Sequence, residues 1–103
     1  MTKRNATQSE SGWMDSITRL GCIVCRLQGI AGAPSVPHHL LRGGRRIGHL
    51  ETIPLCDPGH HQNPPTGSRK IPRHPSRVQF ERAYGTEAEL LQKTRILVAR
   101  LNL

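Results

Sequence analysis

Three cysteines and six histidines in a chain of 103 residues limit what this sequence can fold into more than any helical or strand periodicity does. An odd cysteine count cannot close into intramolecular disulfides without leaving a thiol over. A domain this short buries a modest fraction of its surface, and hydrophobic residues are only 35% of the chain, with one Trp, one Tyr and one Phe. Such a core needs a staple. Zinc takes four tetrahedral ligands drawn from thiolates and imidazoles, and Cys22-x-x-Cys25 lets two sulfurs of one turn reach one ion. The turn in Cys56-Asp57-Pro58-Gly59-His60 folds the chain back to present a thiol and an imidazole together. The expectation is a structural Zn2+ on Cys22, Cys25, Cys56 and His60, with His60 chosen over His61. Cysteines as small buried hydrophobes, or the C-x-x-C pair as a redox motif, are the competing readings; neither uses all three cysteines and the adjacent histidine at once.

Lys and Arg total 15 against 7 acidic residues, a net charge of +8, which suits a polyanion such as nucleic acid. No apolar stretch approaches the ~20 residues of a membrane span. The segment 1–12, MTKRNATQSESG, has no apolar core for a secretion signal, so a soluble, intracellular protein is expected. That segment is polar and aperiodic and reads as a loose tail whose Lys3 and Arg4 lie along a phosphate backbone. Residues 13–103 form the foldable domain.

Trp13, Ile17 and Leu20 stand at helical spacing, and Gly21 stops that helix. Cys22 to Cys25 reads as a knuckle-like turn, followed by a glycine-rich loop or frayed strand. The run from Ser35 to Leu41 predicts a strand confined to an edge by Pro37, Arg42-Gly43-Gly44-Arg45-Arg46 a flexible turn, and the run from Glu51 to Cys56 a second strand. Asp57-Pro58-Gly59 turns sharply, and His60-His61 opens a helical turn. Residues 62–77 are mostly loop. From Val78 to Leu101 the apolar set Val78, Ala83, Leu90, Leu91, Ile96, Leu97, Val98 and Leu101 predicts two helices interrupted at Tyr84-Gly85-Thr86. Thr86 with Glu89 is a capping-box pattern, which starts the last helix near Glu87.

A second constellation comprises His38-His39 on the first strand, His60-His61 and His74. Adjacent side chains on an ideal strand face opposite ways, so His38 and His39 should have different roles. One imidazole can bind a divalent metal while its neighbour takes a proton from an attacking water. Taken singly, each is a surface histidine on a basic protein; six histidines in so short a chain, gathered around a zinc motif, favour a site. Arg42, Arg45 and Arg46 follow the His-His strand and are candidate phosphate clamps, with Arg69 and Lys70 in the later basic loop; a solvated turn is the bland alternative.

C-x-x-C, then His-His, then Ile-Pro-Leu-Cys followed by His-His, then a later His before Phe80-Glu81-Arg82-Ala83-Tyr84-Gly85: this order, running from Cys22 to about Leu91, resembles the HNH, or ββα-metal, nuclease superfamily. Within it the chain is most similar to the RecA-dependent, recombination-enhancing nucleases of temperate phages. The resemblance implies an α+β fold, a small zinc-stapled ββα-metal domain with flanking helices. It implies a DNA endonuclease in phage recombination or DNA processing, in the cytoplasm of a bacterium carrying the phage or prophage; with so few aromatic residues for base stacking, low sequence specificity is expected. It places His38 at a catalytic-metal ligand (Mg2+, Mn2+ or Zn2+), His39 at the general base, His74 at the closing metal ligand and His61 near the position that orients the base; His49 competes as a ligand. DNA is the implied partner, with a recombinase filament or phage assembly protein as a second. The rival reading is a zinc-stapled DNA-binding accessory module without catalysis.

Overall fold

The computed structural model describes residues 7–103; Lys3 and Arg4 fall outside the described residues. Helix α1 (Gln8–Leu20) starts at Gln8 rather than Trp13, so the end of the expected tail is helical. The cause is a capping box. Thr7 Oγ1 accepts from the Glu10 N–H at 3.2 Å, and Glu10 Oε1 accepts from the Thr7 N–H at 2.8 Å, satisfying two end donors reciprocally. Ile17 and Leu20 are buried, while Trp13 Nε1 donates to Thr52 Oγ1 at 2.9 Å and ties α1 to the sheet.

The segment expected as a knuckle and loop contains a short helix, α2 (Ile23–Leu27), whose first turn is capped by the Cys22 side chain: Cys25 N–H donates to Cys22 Sγ at 3.4 Å. Strands β1 (Val36–His39) and β4 (Thr52–Leu55) pair antiparallel, with Pro37 opposite Pro54, His38 opposite Ile53 and His39 opposite Thr52. Each strand has an open edge, which tolerates prolines that donate no ladder hydrogen bond.

Between them, the expected flexible turn is an ordered miniature hairpin. Strands β2 (Leu41–Arg42) and β3 (Arg45–Arg46) pair Arg42 with Arg45. Gly43 and Gly44 have φ of 58° and 79°, the two positive values that a two-residue primed turn requires. No helix is assigned over His60-His61, where residues 57–60 form turns; the carboxylate of Asp57 and the sulfur of Cys56 hold both imidazoles on a bend.

Two helices close the chain, α3 (Arg77–Tyr84) and α4 (Glu87–Arg100). Ser76 and Thr86 cap them by accepting from the N–H groups of Gln79 and Glu89, and α4 begins at Glu87 as its capping pattern predicts. The apolar periodicity is less faithful to the core: Val78 is 61% and Ile96 45% exposed, whereas Phe80, Leu90 and Leu91 are buried. The core joins Leu20, Ile23, Ile53, Leu55, Phe80 and Leu90 with all three cysteines. Among the described residues this is an α+β fold of four helices and two small antiparallel sheets. None of these helices is long and apolar enough to cross a membrane.

Candidate metal centres

Cys22 and Cys25 come from the α2 turn, and Cys56 and His60 from the bend after β4; all four are buried, and their donor atoms lie within 4.8 Å of one another. His60 Nδ1 is 3.5 Å from Cys22 Sγ, 3.5 Å from Cys25 Sγ and 3.3 Å from Cys56 Sγ, and Cys25 Sγ is 3.8 Å from Cys56 Sγ. Around a tetrahedral zinc with ordinary bond lengths, sulfur–sulfur edges measure about 3.8 Å and sulfur–nitrogen edges about 3.5 Å. The donor set therefore fits zinc in both chemistry and dimensions.

Burial pushes the Cys22 thiol up to about 12 and raises Cys25 as well. Cys56 is lowered despite burial, by hydrogen bonds from the His60 N–H, the other two cysteines and Lys70. Burial, with the Lys70 charge adding to it, lowers His60 to about 4, which keeps its ring neutral as a ligand must be. Zinc binds thiolates, so loading expels protons. Lys70, a candidate phosphate contact by sequence, donates from Nζ to Cys56 Sγ at 3.4 Å, which places an ammonium where it would offset the charge of a zinc-bound thiolate.

Gly59 makes the bend possible. Its φ is +147°, and a Cβ there would stand 2.6 Å from Cys56 Sγ. Gly59→Ala is expected to cost about 1–3 kcal/mol of backbone strain and to loosen Cys56; a melting temperature and zinc retention against a chelator equal to the parent's would contradict this.

The second group is His38, His61 and His74, with one donor nitrogen from each lying within 4.8 Å of the others. Ring centroids are 5.4 Å apart for His38–His61 and His38–His74, and 5.0 Å for His61–His74. His38 Nε2 is 2.9 Å from Glu87 Oε2, and the other Glu87 oxygen accepts from Arg73 Nε. His61 Nδ1 is 3.1 Å from Asp57 Oδ2. A carboxylate on one ring nitrogen fixes the tautomer and leaves the other nitrogen for a metal. His38 Nδ1 and His61 Nε2 are the nitrogens so left.

His74 comes from the proline-rich loop, which is pinned to the zinc bend by Arg73 N–H to His60 O at 2.7 Å and His74 N–H to His61 O at 3.0 Å. Burial, then the Arg73 charge, lowers His74. Burial would raise Glu87, but hydrogen bonds from His38 and Arg73 hold it low; the His61 hydrogen bond lowers Asp57.

These three imidazoles, with Pro37, His39, Leu41 and Arg46, line a cavity of ≈ 290 Å³. His38 is buried and His39 half-buried, yet both line it, so neighbouring positions of one strand both reach this cavity. His49, expected to compete for the metal, pairs instead with His39, with Nδ1 3.1 Å from His39 Nε2. Arg42, Arg45 and Arg69 are exposed.

Asp57, Arg73 and Glu87 were not singled out by sequence reasoning. Asp57 left a signal, standing four residues before His61; Glu87 left none beyond its place in a helical first turn. A family model described as recombination enhancement, RecA-dependent nuclease, matches residues 6–99. No curated protein matches the chain.

Proposed function

Since the chain belongs to the recombination-enhancement, RecA-dependent nuclease family, we propose that it is a metal-dependent DNA endonuclease of the HNH type. The observation that carries this reading is the cavity where His38, His61 and His74 converge beside His39 and Arg46. The cysteine cluster is the structural zinc site, and the histidine trio holds a catalytic divalent ion. Three imidazoles suit zinc or another transition metal better than magnesium, which prefers oxygen ligands. His61 thus becomes a third ligand rather than the residue that orients the base.

An ion held by His38, His61 and His74 would supply charge neutralisation at the scissile phosphate and the leaving oxygen. His39 accepts the proton of the attacking water. The water oxygen forms the new bond to phosphorus, the bond to the leaving oxygen breaks, and that oxygen takes a proton from solvent. Arg46, at the cavity, and the exposed Arg42 and Arg45 hold flanking phosphates. With few aromatic side chains for stacking, discrimination between bases is weak. RecA filaments are the partner that brings DNA to this site.

Supercoiled plasmid incubated with zinc, manganese or magnesium, with and without RecA, tests the reading. Nicking that disappears in a His38→Ala, His74→Ala variant is the expected result; plasmid shifted but intact under every condition would favour the accessory DNA-binding module. Affinity should also fall with salt through counterion release. Replacing Arg42, Arg45 and Arg46 by Gln should flatten the slope of log K against log salt by about 3. An unchanged slope would remove the miniature hairpin from the DNA interface.

A further inference from the structure

We infer that His49 is a positioning residue that fixes which ring nitrogen of His39 carries the proton, a role resting on the reading of His39 as general base. His39 Nε2 and His49 Nδ1 are 3.1 Å apart, with ring centroids at 5.2 Å and planes inclined by 69°. A hydrogen bond between two neutral imidazoles contains one proton, so the donor's identity decides the tautomer of each ring. If His49 donated, the basic lone pair of His39 would be consumed at Nε2 and its Nδ1 would bear the proton, leaving no base. If His39 donates from Nε2, its lone pair is on Nδ1 and His49 is the acceptor. Only the second arrangement serves catalysis.

His49 is held for this task by the framework. Its carbonyl accepts from Thr52 Oγ1 at 2.9 Å, and the same hydroxyl accepts from Trp13 Nε1 at 2.9 Å. Thr52 is fully buried and stands opposite His39 in the strand register. One chain of contacts therefore runs from α1 through β4 and the loop before it to the ring of His39. When the water proton arrives at Nδ1, the imidazolium keeps its Nε2–H on His49, and that hydrogen bond strengthens because its donor is now charged.

Two near-isosteric substitutions separate this role from packing. His49→Asn places a carbonyl oxygen about where Nδ1 was, whereas His49→Leu has a similar shape and no acceptor. His49→Leu is expected to lower kcat by about 10–100-fold with KM for DNA little changed, and His49→Asn to recover most of that loss. Nitrogen NMR of the His39 ring, recorded without DNA, should show the Nε2–H tautomer in the parent and His49→Asn, and a tautomer mixture in His49→Leu. The inference is overturned if His49→Leu cleaves like the parent, if both variants lose equally, or if the parent ring carries its proton on Nδ1. His39→Ala run alongside keeps the failures apart: an active His39→Ala overturns the base assignment itself, whereas an inactive one beside a fully active His49→Leu overturns only the role of His49.

Discussion

Cys22→Ser is expected to unfold the domain, and a strong chelator should do the same to the parent. Cys22 is fully buried with its sulfur 3.5 Å from His60 Nδ1, and the cysteines are shared between the cluster and the hydrophobic core. Zinc sites of this kind are worth about 10–16 kcal/mol in apparent binding energy at neutral pH, as much as the roughly 5–15 kcal/mol that separates a folded domain from its unfolded chain. A serine hydroxyl is a poor zinc ligand, and the three donors left behind hold the ion far less tightly. Without zinc the same substitution would only bury a hydroxyl in place of a thiol, a cost of about 1–3 kcal/mol. The two cases differ by several kcal/mol and are read from circular dichroism melts together with elemental analysis. Folded, zinc-free parent protein, or a Cys22→Ser variant that melts within a few degrees of the parent, would refute the structural site. A variant lacking His38 and His74 should retain this zinc, which separates it from metal in the histidine cavity.

What could be read from the sequence follows the distance over which each interaction acts. Cys22 and Cys25 share one turn, and Cys56 and His60 share one bend, so each pair announces itself by spacing. Thr86 and Glu89 did so for α4. Thr7 and Glu10 carry the same signal, hidden in a stretch whose polarity suggested a tail. The Glu87–Arg73–His38 chain is of another kind, because His38 and Glu87 are 49 residues apart and meet only when the α4 N-terminus docks beneath β1. No local pattern encodes that meeting. Lys70 illustrates a converse difficulty: in a basic loop it reads as one more charge, and only the folded bend reveals a thiol sulfur within its reach. Apolar periodicity misplaced Val78 and Ile96 because α3 and α4 each bury only a narrow stripe, which Phe80, Leu90 and Leu91 fill.

His39→Ala should abolish most cleavage while sparing everything else. Removing a general base typically costs about 10²–10⁴-fold in rate. The side chain is half-buried rather than part of the core, and its hydrogen bond to His49 can be replaced by water once the ring is gone. The melting temperature, zinc content and DNA affinity of His39→Ala should therefore match the parent's. His38→Ala should fail differently. It removes an imidazole whose Nε2 is held by Glu87, strips the cavity of a proposed metal ligand, and leaves Glu87 paired with Arg73 alone. Calorimetric titration of the divalent ion should show parent-like affinity for His39→Ala and a large loss for His38→Ala, although both are inactive. That contrast tests the division of labour between two adjacent histidines more sharply than inactivity alone. If His39→Ala instead loses the ion along with activity, His39 is a ligand; if it nicks DNA at the parent's rate across neutral pH, the proton goes elsewhere.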